Sequence, residues 1–214
     1  MAVDSSALAS LCAPEHTAVV TSEIQNGVVG EPSSLPELAA AAQETMIPAV
    51  ARLVQAARKV EANVVHCLFE ARPDQRGGNH NAPLFRYSKR APVQQIAGTP
   101  AVQVVPEVGA EPSDIILTRS HGLNPMSGTD LDSVLRNLGV RTVIVAGVSV
   151  NVAITNLVME AVNHGYEVVL PRDAVCGVPA EYADAMIDNT LRVLAAVTTV
   201  DEVVTAWSVP LRRG

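Results

Sequence analysis

Two charged side chains and one glycine-containing turn of this sequence combine residue types that could do chemistry. Glu23 follows the apolar run "TAVVTS", and Arg119 follows the apolar run "DIILT". The third feature is "AGVSVNVAI", residues 146–154, where a buried-strand pattern passes through a glycine directly into a helical pattern. Enzymes often place a nucleophile at such a turn, yet the chain has Ala153 there. The alanine side chain has no lone pair, so it can neither attack a substrate nor transfer a proton. Any chemistry at this site must come from another group, such as a carboxylate that transfers a proton.

The elements that must position these residues alternate between short β-branched runs and longer Ala- and Leu-rich stretches of helical period, which is typical of βαβ units. This pattern predicts a single α/β domain over residues 1–214, a three-layer α/β/α sandwich with a six-stranded, mostly parallel sheet. Residues 1–15 are predicted to be a flexible N-terminal arm. Predicted strands cover residues 17–22, 63–69, 114–118, 141–147, 166–171 and 196–200. Predicted helices cover residues 36–59 with a kink or break at Pro48, 128–139, a segment ending near His164, and 180–195.

The carboxyl ends of the predicted strands indicate where a ligand would bind, because parallel α/β sheets form their ligand crevice at that edge. This rule selects Glu23, Glu70, Arg119 and residues 147–153. We expect Glu23 and Arg119 to form an ion pair that faces the turn after the fourth strand. Residues 70–114 are rich in Pro, Gly and charge and have no sustained helical period. Such a long loop in a compact domain usually carries function.

Composition restricts the classes of partner. The formal net charge is −7, and the negative charges are not gathered in a long run. Binding to nucleic acid or to an anionic membrane through a general basic field is therefore not expected. The chain has three cysteines, no metal-like cysteine or histidine spacing and no long apolar span. We therefore expect a cytoplasmic protein with a small-molecule ligand, no metal and no cofactor.

Four segments together resemble the isochorismatase-like hydrolase superfamily, often called cysteine hydrolases. They are "AVVTSEIQNGVV", "PSDIILTR", "GTDLDSVLRNLGVRTVIVAGVSVNVAI" and "AVNHGYEVVLPRDA", in that order. The resemblance implies a six-stranded parallel sheet in a three-layer sandwich, and an assembly as a homo-oligomer, a dimer or tetramer. It also maps the usual catalytic Asp, Lys and Cys onto Glu23, Arg119 and Ala153.

The resemblance further implies how the turn after the fourth strand would work. Backbone N–H groups of residues 149–153 would bind an oxyanion or a substrate carboxylate, and Val148–Ser149 is a candidate non-proline cis peptide. The residues assigned to this role are Val148, Ser149, Asn151 and Val152, with Glu70 and His121 as further pocket candidates.

Three functions follow from these substitutions. True isochorismatases lack the cysteine and protonate an enol carbon before water adds, so Glu23 is predicted to be the general acid of a hydrolase acting on a small carboxylated substrate. Alternatively, the chain is a catalytically silent relative that binds a ligand or has a structural role. A third alternative is an amide hydrolase that uses another nucleophile, for which Ser149, Ser120 and Cys176 are candidates.

Overall fold

A computed structural model describes residues 4–208 of the chain. Seven strands form one sheet: β1 Thr17–Ser22, β2 Asn63–Phe69, β3 Ile115–Arg119, β4 Thr142–Val148, β5 Glu167–Pro171, β6 Val175–Cys176 and β7 Ala196–Thr198. Their order in the sheet is β3-β2-β1-β4-β5-β7, and β6 pairs with β4 beyond the end of β5. Every strand pair is parallel.

Helices cover both faces of this sheet. The helices are α1 Ser5–Leu11, α2 Asn26–Val29, α3 Pro36–Ala41, α4 Ile47–Lys59, α5 Pro83–Ser88, α6 Leu131–Asn137, α7 Thr155–Asn163, α8 Ala180–Asn189 and α9 Val200–Ser208. One hydrophobic core lies between the sheet, including Val19 and Ile144, and helices α1, α3, α4 and α9. The other lies between the opposite face of the sheet, including Val20 and Val143, and helices α6, α7 and α8. The predicted three-layer α/β/α fold is confirmed. Within residues 4–208, no helix is both long enough and apolar enough to cross a membrane.

Most predicted elements match the structure closely. Strands β1 and β2 have the predicted bounds, and β4 is displaced by one residue. The long helix predicted over residues 36–59 is divided into α3, a π-helical segment at Ala42–Met46, and α4, which has Pro48 in its first turn. The residues before Pro48 are also helical, so the proline lies within one continuous helical run. The π-helical turn just before it is where this run departs from regular α-helical hydrogen bonding. The two-residue strand β6 was not predicted.

Of the flexible N-terminal arm predicted over residues 1–15, residues 1–3 lie outside the described residues and most of the rest is helical. Residues Ser5–Leu11 form α1, which begins at Asp4, whose side chain accepts a hydrogen bond from the Ala7 N–H. Leu8, Ala9 and Cys12 are buried in the core beneath α9. The indole N–H of Trp207 donates to the Cys12 carbonyl at 2.6 Å. The segment "SSALASLC" therefore forms an amphipathic helix, and α9, against which its apolar face packs, lies far along the chain.

Strands β1 and β4 approach each other very closely at their carboxyl ends. Ser22 and Gly147 are paired, and Gly147 has φ +108°. A Cβ atom at this position would lie 2.2 Å from the Ser22 carbonyl oxygen. Only glycine fits, because the backbone conformation and the available space both exclude a side chain. This contact holds the turn after β4 beside the segment that follows β1.

His66 lies in the middle of β2 within a buried polar chain. Its Nδ1 is 2.8 Å from the Thr21 hydroxyl. Its Nε2 is 3.3 Å from Asp114 Oδ2 but is not aligned for a hydrogen bond. Arg58 donates two hydrogen bonds to the same Asp114 carboxylate. Burial lowers the pKa of His66, although Asp114 acts in the opposite direction. His66 is thus a core histidine that is held neutral.

We predict that His66 makes the stability of the protein pH-dependent. Its folded pKa lies below the unfolded value of about 6.5, so the unfolded state binds more protons below that pH. The stabilisation should be complete above pH 6.5 and should decrease as the pH falls toward the folded pKa. Chemical denaturation of His66→Gln between pH 8 and pH 5 should show a smaller loss of stability than the wild type. The matched control His80→Gln replaces an exposed histidine and should retain the wild-type dependence; equal slopes for both variants would contradict the prediction.

Candidate active site

Glu23 is the first residue after β1, and its backbone has φ +56°. This left-handed conformation is uncommon for a residue with a side chain and costs of order 1 kcal/mol or more. The Glu23 N–H donates to the Cys67 carbonyl at 2.9 Å, which continues the pairing of β1 with β2 by one residue. The chain therefore turns away from the sheet at Glu23, whose side chain is 21% exposed.

Gln25 fixes the segment that contains Glu23. Its side-chain Nε2 donates to the Phe69 carbonyl at 2.8 Å, and its Oε1 accepts from the Phe69 N–H at 2.7 Å. The amide thus satisfies both backbone groups of the last residue of β2, much as a neighbouring strand would. Gln25 is fully buried, so this clamp holds "SEIQN" rigidly against the rim of the sheet.

Arg119, the last residue of β3, forms an ion pair with Glu23. Its Nη2 donates to Glu23 Oε1, and only 5% of its side chain is exposed. The guanidinium also lies over the ring of Phe69, 5.2 Å from the ring centroid. Phe69 and Arg119 are paired residues of β2 and β3. The structure therefore brings together the two charged residues that the strand-end rule selected.

Burial raises the pKa of Glu23, whereas the charge and hydrogen bond of Arg119 lower it, and the net shift is upward. The sequence could not supply this balance, because it depends on how much of the carboxylate is removed from water. A carboxyl group with a raised pKa keeps its proton more readily than a surface glutamate does. It is therefore better suited to act as a general acid near neutral pH.

The turn after β4 faces this carboxylate. The Val148–Ser149 peptide is cis, in agreement with the expectation from the sequence. The residues that follow form a π-helical turn, Val150–Ile154, rather than the start of a regular α-helix. π-helical turns are rare and occur frequently at functional sites.

Some of the backbone N–H groups expected to bind an oxyanion at this turn already donate hydrogen bonds within the protein. The N–H groups of Val152 and Ile154 both donate to the Ser149 carbonyl, at 3.1 and 3.0 Å. The Asn151 side chain donates to the Val178 carbonyl at 2.8 Å and so ties the turn to the β6–α8 connection. Asn151 lines an open cavity that adjoins the Glu23 cleft and shares Ser149 and Tyr87 with it, and its role in substrate binding stays a prediction.

Glu23, Arg119 and the turn line one cleft of about 780 Å³, with the open mouth included. The predicted site residues in its wall are Glu23, Arg119, Val148, Ser149, Val152 and Ala153. Further lining residues, from α2, α3, α5 and the loops, are Val28, Ser34, Leu35, Leu38, Phe69, Leu84, Phe85, Tyr87, Ser88, Gln95, Gly122 and Leu123. Most are apolar, and few of them could be identified from the sequence because segment 70–114 lacks a regular period.

Two predicted pocket residues lie elsewhere. Glu70 does not line the cleft; its N–H donates to the Arg119 carbonyl at 2.9 Å. This bond continues the pairing of β2 with β3 by one residue, so the chain is still extended at Glu70. Side chains alternate between the two faces of an extended chain, which directs Glu70 to the face opposite Phe69, the residue that lines the cleft. His121 lines a neighbouring cavity instead.

The alternative nucleophiles are placed unequally. Ser149 lines the cleft, Ser120 lines the neighbouring cavity, and Cys176 lines neither. Burial raises the pKa of Cys176, which disfavours the thiolate that a nucleophile requires. Among residues 4–208, no group of three His, Cys, Asp or Glu side chains is arranged to hold a metal ion.

Comparisons with known proteins agree with this fold. The isochorismatase domain model matches residues 17–202. The isochorismatase family protein YecD of Escherichia coli is 32% identical over 100 residues, which is 46% of this chain and 52% of YecD. The matched region thus spans about half of that curated relative.

Solved structures have the same fold over nearly the whole chain. A cysteine hydrolase from Pseudomonas syringae superposes with a TM-score of 0.80 at 24% identity, covering 91% of this chain and 93% of that one. N-carbamoylsarcosine amidase from Thermoplasma acidophilum gives a TM-score of 0.69 at 18% identity, with 87% and 97% covered.

We predict that Arg119→Met raises the pKa of Glu23 further, because it removes the opposing charge and leaves burial unbalanced. At neutral pH the variant should lose about 1–3 kcal/mol of stability, since a half-buried carboxylate loses its partner. This loss should become smaller as the pH falls toward 4.5, the ordinary pKa of the group, where the neutral acid no longer needs a cation. Carboxyl NMR titration of isotope-labelled glutamate measures the pKa. The control Arg136→Met removes an exposed guanidinium, and in this variant Glu23 should titrate as in the wild type. An unchanged Glu23 pKa in Arg119→Met would contradict the prediction.

Proposed function

The chain belongs to the isochorismatase family, and from this premise we propose that it hydrolyses a small carboxylated molecule with Glu23 as general acid and base, without a cysteine nucleophile. The observation that carries the proposal is the position of Glu23. It lies in the wall of a cleft, is paired with Arg119, has a raised pKa and shares that wall with Ala153. Proton transfer is the chemistry that these residues can perform.

The reaction class that fits is hydrolysis of a vinyl ether. The protonated Glu23 carboxyl group donates its proton to the enol carbon, and the positive charge develops on the carbon that bears the ether oxygen. Water adds to that carbon and returns a proton to the Glu23 carboxylate. The resulting hemiketal then collapses to a carbonyl compound and an alcohol. Arg119 stays charged throughout, so its role is to hold the carboxylate in place and to stabilise its ionised form.

A silent relative that only binds a ligand is the second candidate, and one observation favours it over the amide-hydrolase alternative. The Val152 N–H donates to the Ser149 carbonyl, so this amide is not available to an oxyanion in the arrangement described. In cysteine hydrolases such amides stabilise the charge that follows thiolate attack. A vinyl-ether mechanism places its developing charge elsewhere and does not depend on them.

The two candidates predict different behaviour of variants. If Glu23 is the acid, the wild type hydrolyses vinyl ethers of small carboxylic acids, and Glu23→Gln lowers kcat by about 10²–10⁴-fold. Glu23→Gln keeps the shape and polarity of the side chain, and a thermal melt checks that it is folded. Undiminished turnover would refute the acid role. Absence of vinyl-ether turnover in the wild type, combined with amidase activity that appears only in Ala153→Cys, would support the silent relative.

We also propose that the chain acts in the cytoplasm as a homodimer or homotetramer. Its three cysteines are free, which suits a reducing compartment. Leu84, Tyr87 and Leu123 are large, exposed apolar residues at the mouth of the cleft, as expected for a surface that a second copy covers. Light scattering after gel filtration should give two or four times the chain mass of 22.5 kDa. A mass of one chain at micromolar concentration would contradict the assembly, and recovery in the membrane or periplasmic fraction would contradict the location.

A further inference from the structure

A second cavity lies beside the cleft that contains Glu23. It has about 510 Å³ of empty space, open side included. Phe69, Phe85, Ser88 and Gln95 line both cavities. The two cavities therefore adjoin and have these four residues as a common wall. Both are open on one side, so a ligand that extends around the rim of this wall could occupy both.

The second cavity is basic, although the chain as a whole is acidic. The protein has 22 Asp and Glu residues and 15 Lys and Arg residues. By contrast, the lining of this cavity contains Arg72, Arg76, Lys89 and His121 and no carboxylate. A concave surface of one charge sign concentrates ligands of the opposite charge.

Two of these cations have no carboxylate partner. Arg72 is neutralised by Asp74, with two hydrogen bonds of 3.0 Å. Within residues 4–208, neither Arg76 nor Lys89 has an Asp or Glu oxygen within 4.0 Å. Lys89 is also half-buried, which reduces the screening of its charge by water.

The walls of the cavity are held in place by a network of hydrogen bonds. Ala71 donates to the Gln95 carbonyl at 2.6 Å. The Gln75 side chain donates to Gln94 Oε1 at 2.7 Å, and Gln94 in turn donates to the Lys89 carbonyl at 3.0 Å. On the other side, the Gly122 N–H donates to Asn79 Oδ1 at 2.8 Å. The loop is thus ordered around the cavity before any ligand arrives, which lowers the entropic cost of binding.

Gln95 orients one acceptor in the wall between the cavities. Its Nε2 donates to the Gly27 carbonyl at 2.7 Å and lies 3.1 Å from the Ser34 hydroxyl. Since only the NH₂ group can donate to a carbonyl, this contact fixes which atom is oxygen. No group among residues 4–208 donates to its Oε1 atom, which could therefore accept a hydrogen bond from a ligand that extends between the two cavities.

We propose that this cavity, lined by Arg76, Lys89 and His121, binds an oxyanion at the far end of the substrate. The inference rests on the proposed function, because the reacting bond is placed beside Glu23. It defines the substrate class as an elongated molecule with a phosphate or carboxylate group remote from the bond that is cleaved. Such a group would be held by charge-assisted hydrogen bonds from Arg76 and Lys89.

Calorimetric titration of the full chain with inorganic phosphate at low ionic strength tests the site without any turnover. Lys89→Ala should weaken phosphate binding about tenfold, the effect of losing one charge-assisted hydrogen bond. The matched control is Arg90→Ala, which removes one positive charge from the next residue, an exposed arginine that does not line the cavity. Equal weakening of phosphate binding by both variants would show a general effect of positive charge and no specific site, and would overturn the proposal. Failure of the wild type to bind phosphate at 10 mM, about the weakest binding of interest, would also overturn it.

Two further measurements separate this proposal from the proposed catalytic function. Glu23→Gln should still bind phosphate, because its carboxylate belongs to the other cavity; loss of phosphate binding in that variant would overturn the assignment. Phenyl phosphate should bind more tightly than inorganic phosphate, since its ring would contact Phe69 and Phe85 on the way to Glu23. If it binds no more tightly, the two cavities do not form one substrate site. Neither result depends on whether vinyl ethers are hydrolysed.

Discussion

The ion pair between Glu23 and Arg119 is the interaction on which the rest of the site depends. A carboxylate that is largely removed from water is unstable unless a cation or donors replace the lost hydration. Here the cation comes from the end of β3 and the carboxylate from the end of β1, two strands apart in the sheet. Everything between them must hold its position for the pair to form. Gln25 bonds to both backbone groups of Phe69, and the ring of Phe69 lies beneath the guanidinium.

The other components of the site are arranged around this pair. Because Gly147 has no side chain, β4 can approach β1 closely enough to bring its turn opposite Glu23. Segment 70–114 then closes the cleft and adds the basic cavity beside it. A rigid sheet edge thus holds the proposed reacting group, while the loop forms much of the wall around it. This division is common in α/β proteins, where loops on a fixed scaffold carry specificity.

The fold and the charged centre of the site could be predicted from the sequence because they follow simple rules. Buried parallel strands appear as continuous apolar runs, and their carboxyl ends select Glu23 and Arg119. Other features depend on contacts between distant residues. The helix α1 is stable because it packs against α9, and Trp207 has no local signal that identifies Cys12 as its partner. Glu70 follows the strand-end rule but misses the cleft, since the alternation of side chains along the extended chain places it on the face opposite Phe69. Gln95 and Lys89 lie in a segment without periodicity, so their role is visible only once the loop is folded.

Ala153 has a further consequence, which concerns the durability of the cleft. An activated thiolate is oxidised by peroxides and modified by alkylating reagents, and the same low pKa that makes it nucleophilic makes it vulnerable. No cysteine lines the Glu23 cleft, and burial raises the pKa of the Cys12 and Cys67 thiols to about 12. With a methyl group in place of sulfur, the cleft has no thiol that peroxides can oxidise. The catalysis proposed for Glu23 would therefore resist oxidants to which a cysteine-dependent hydrolase is sensitive.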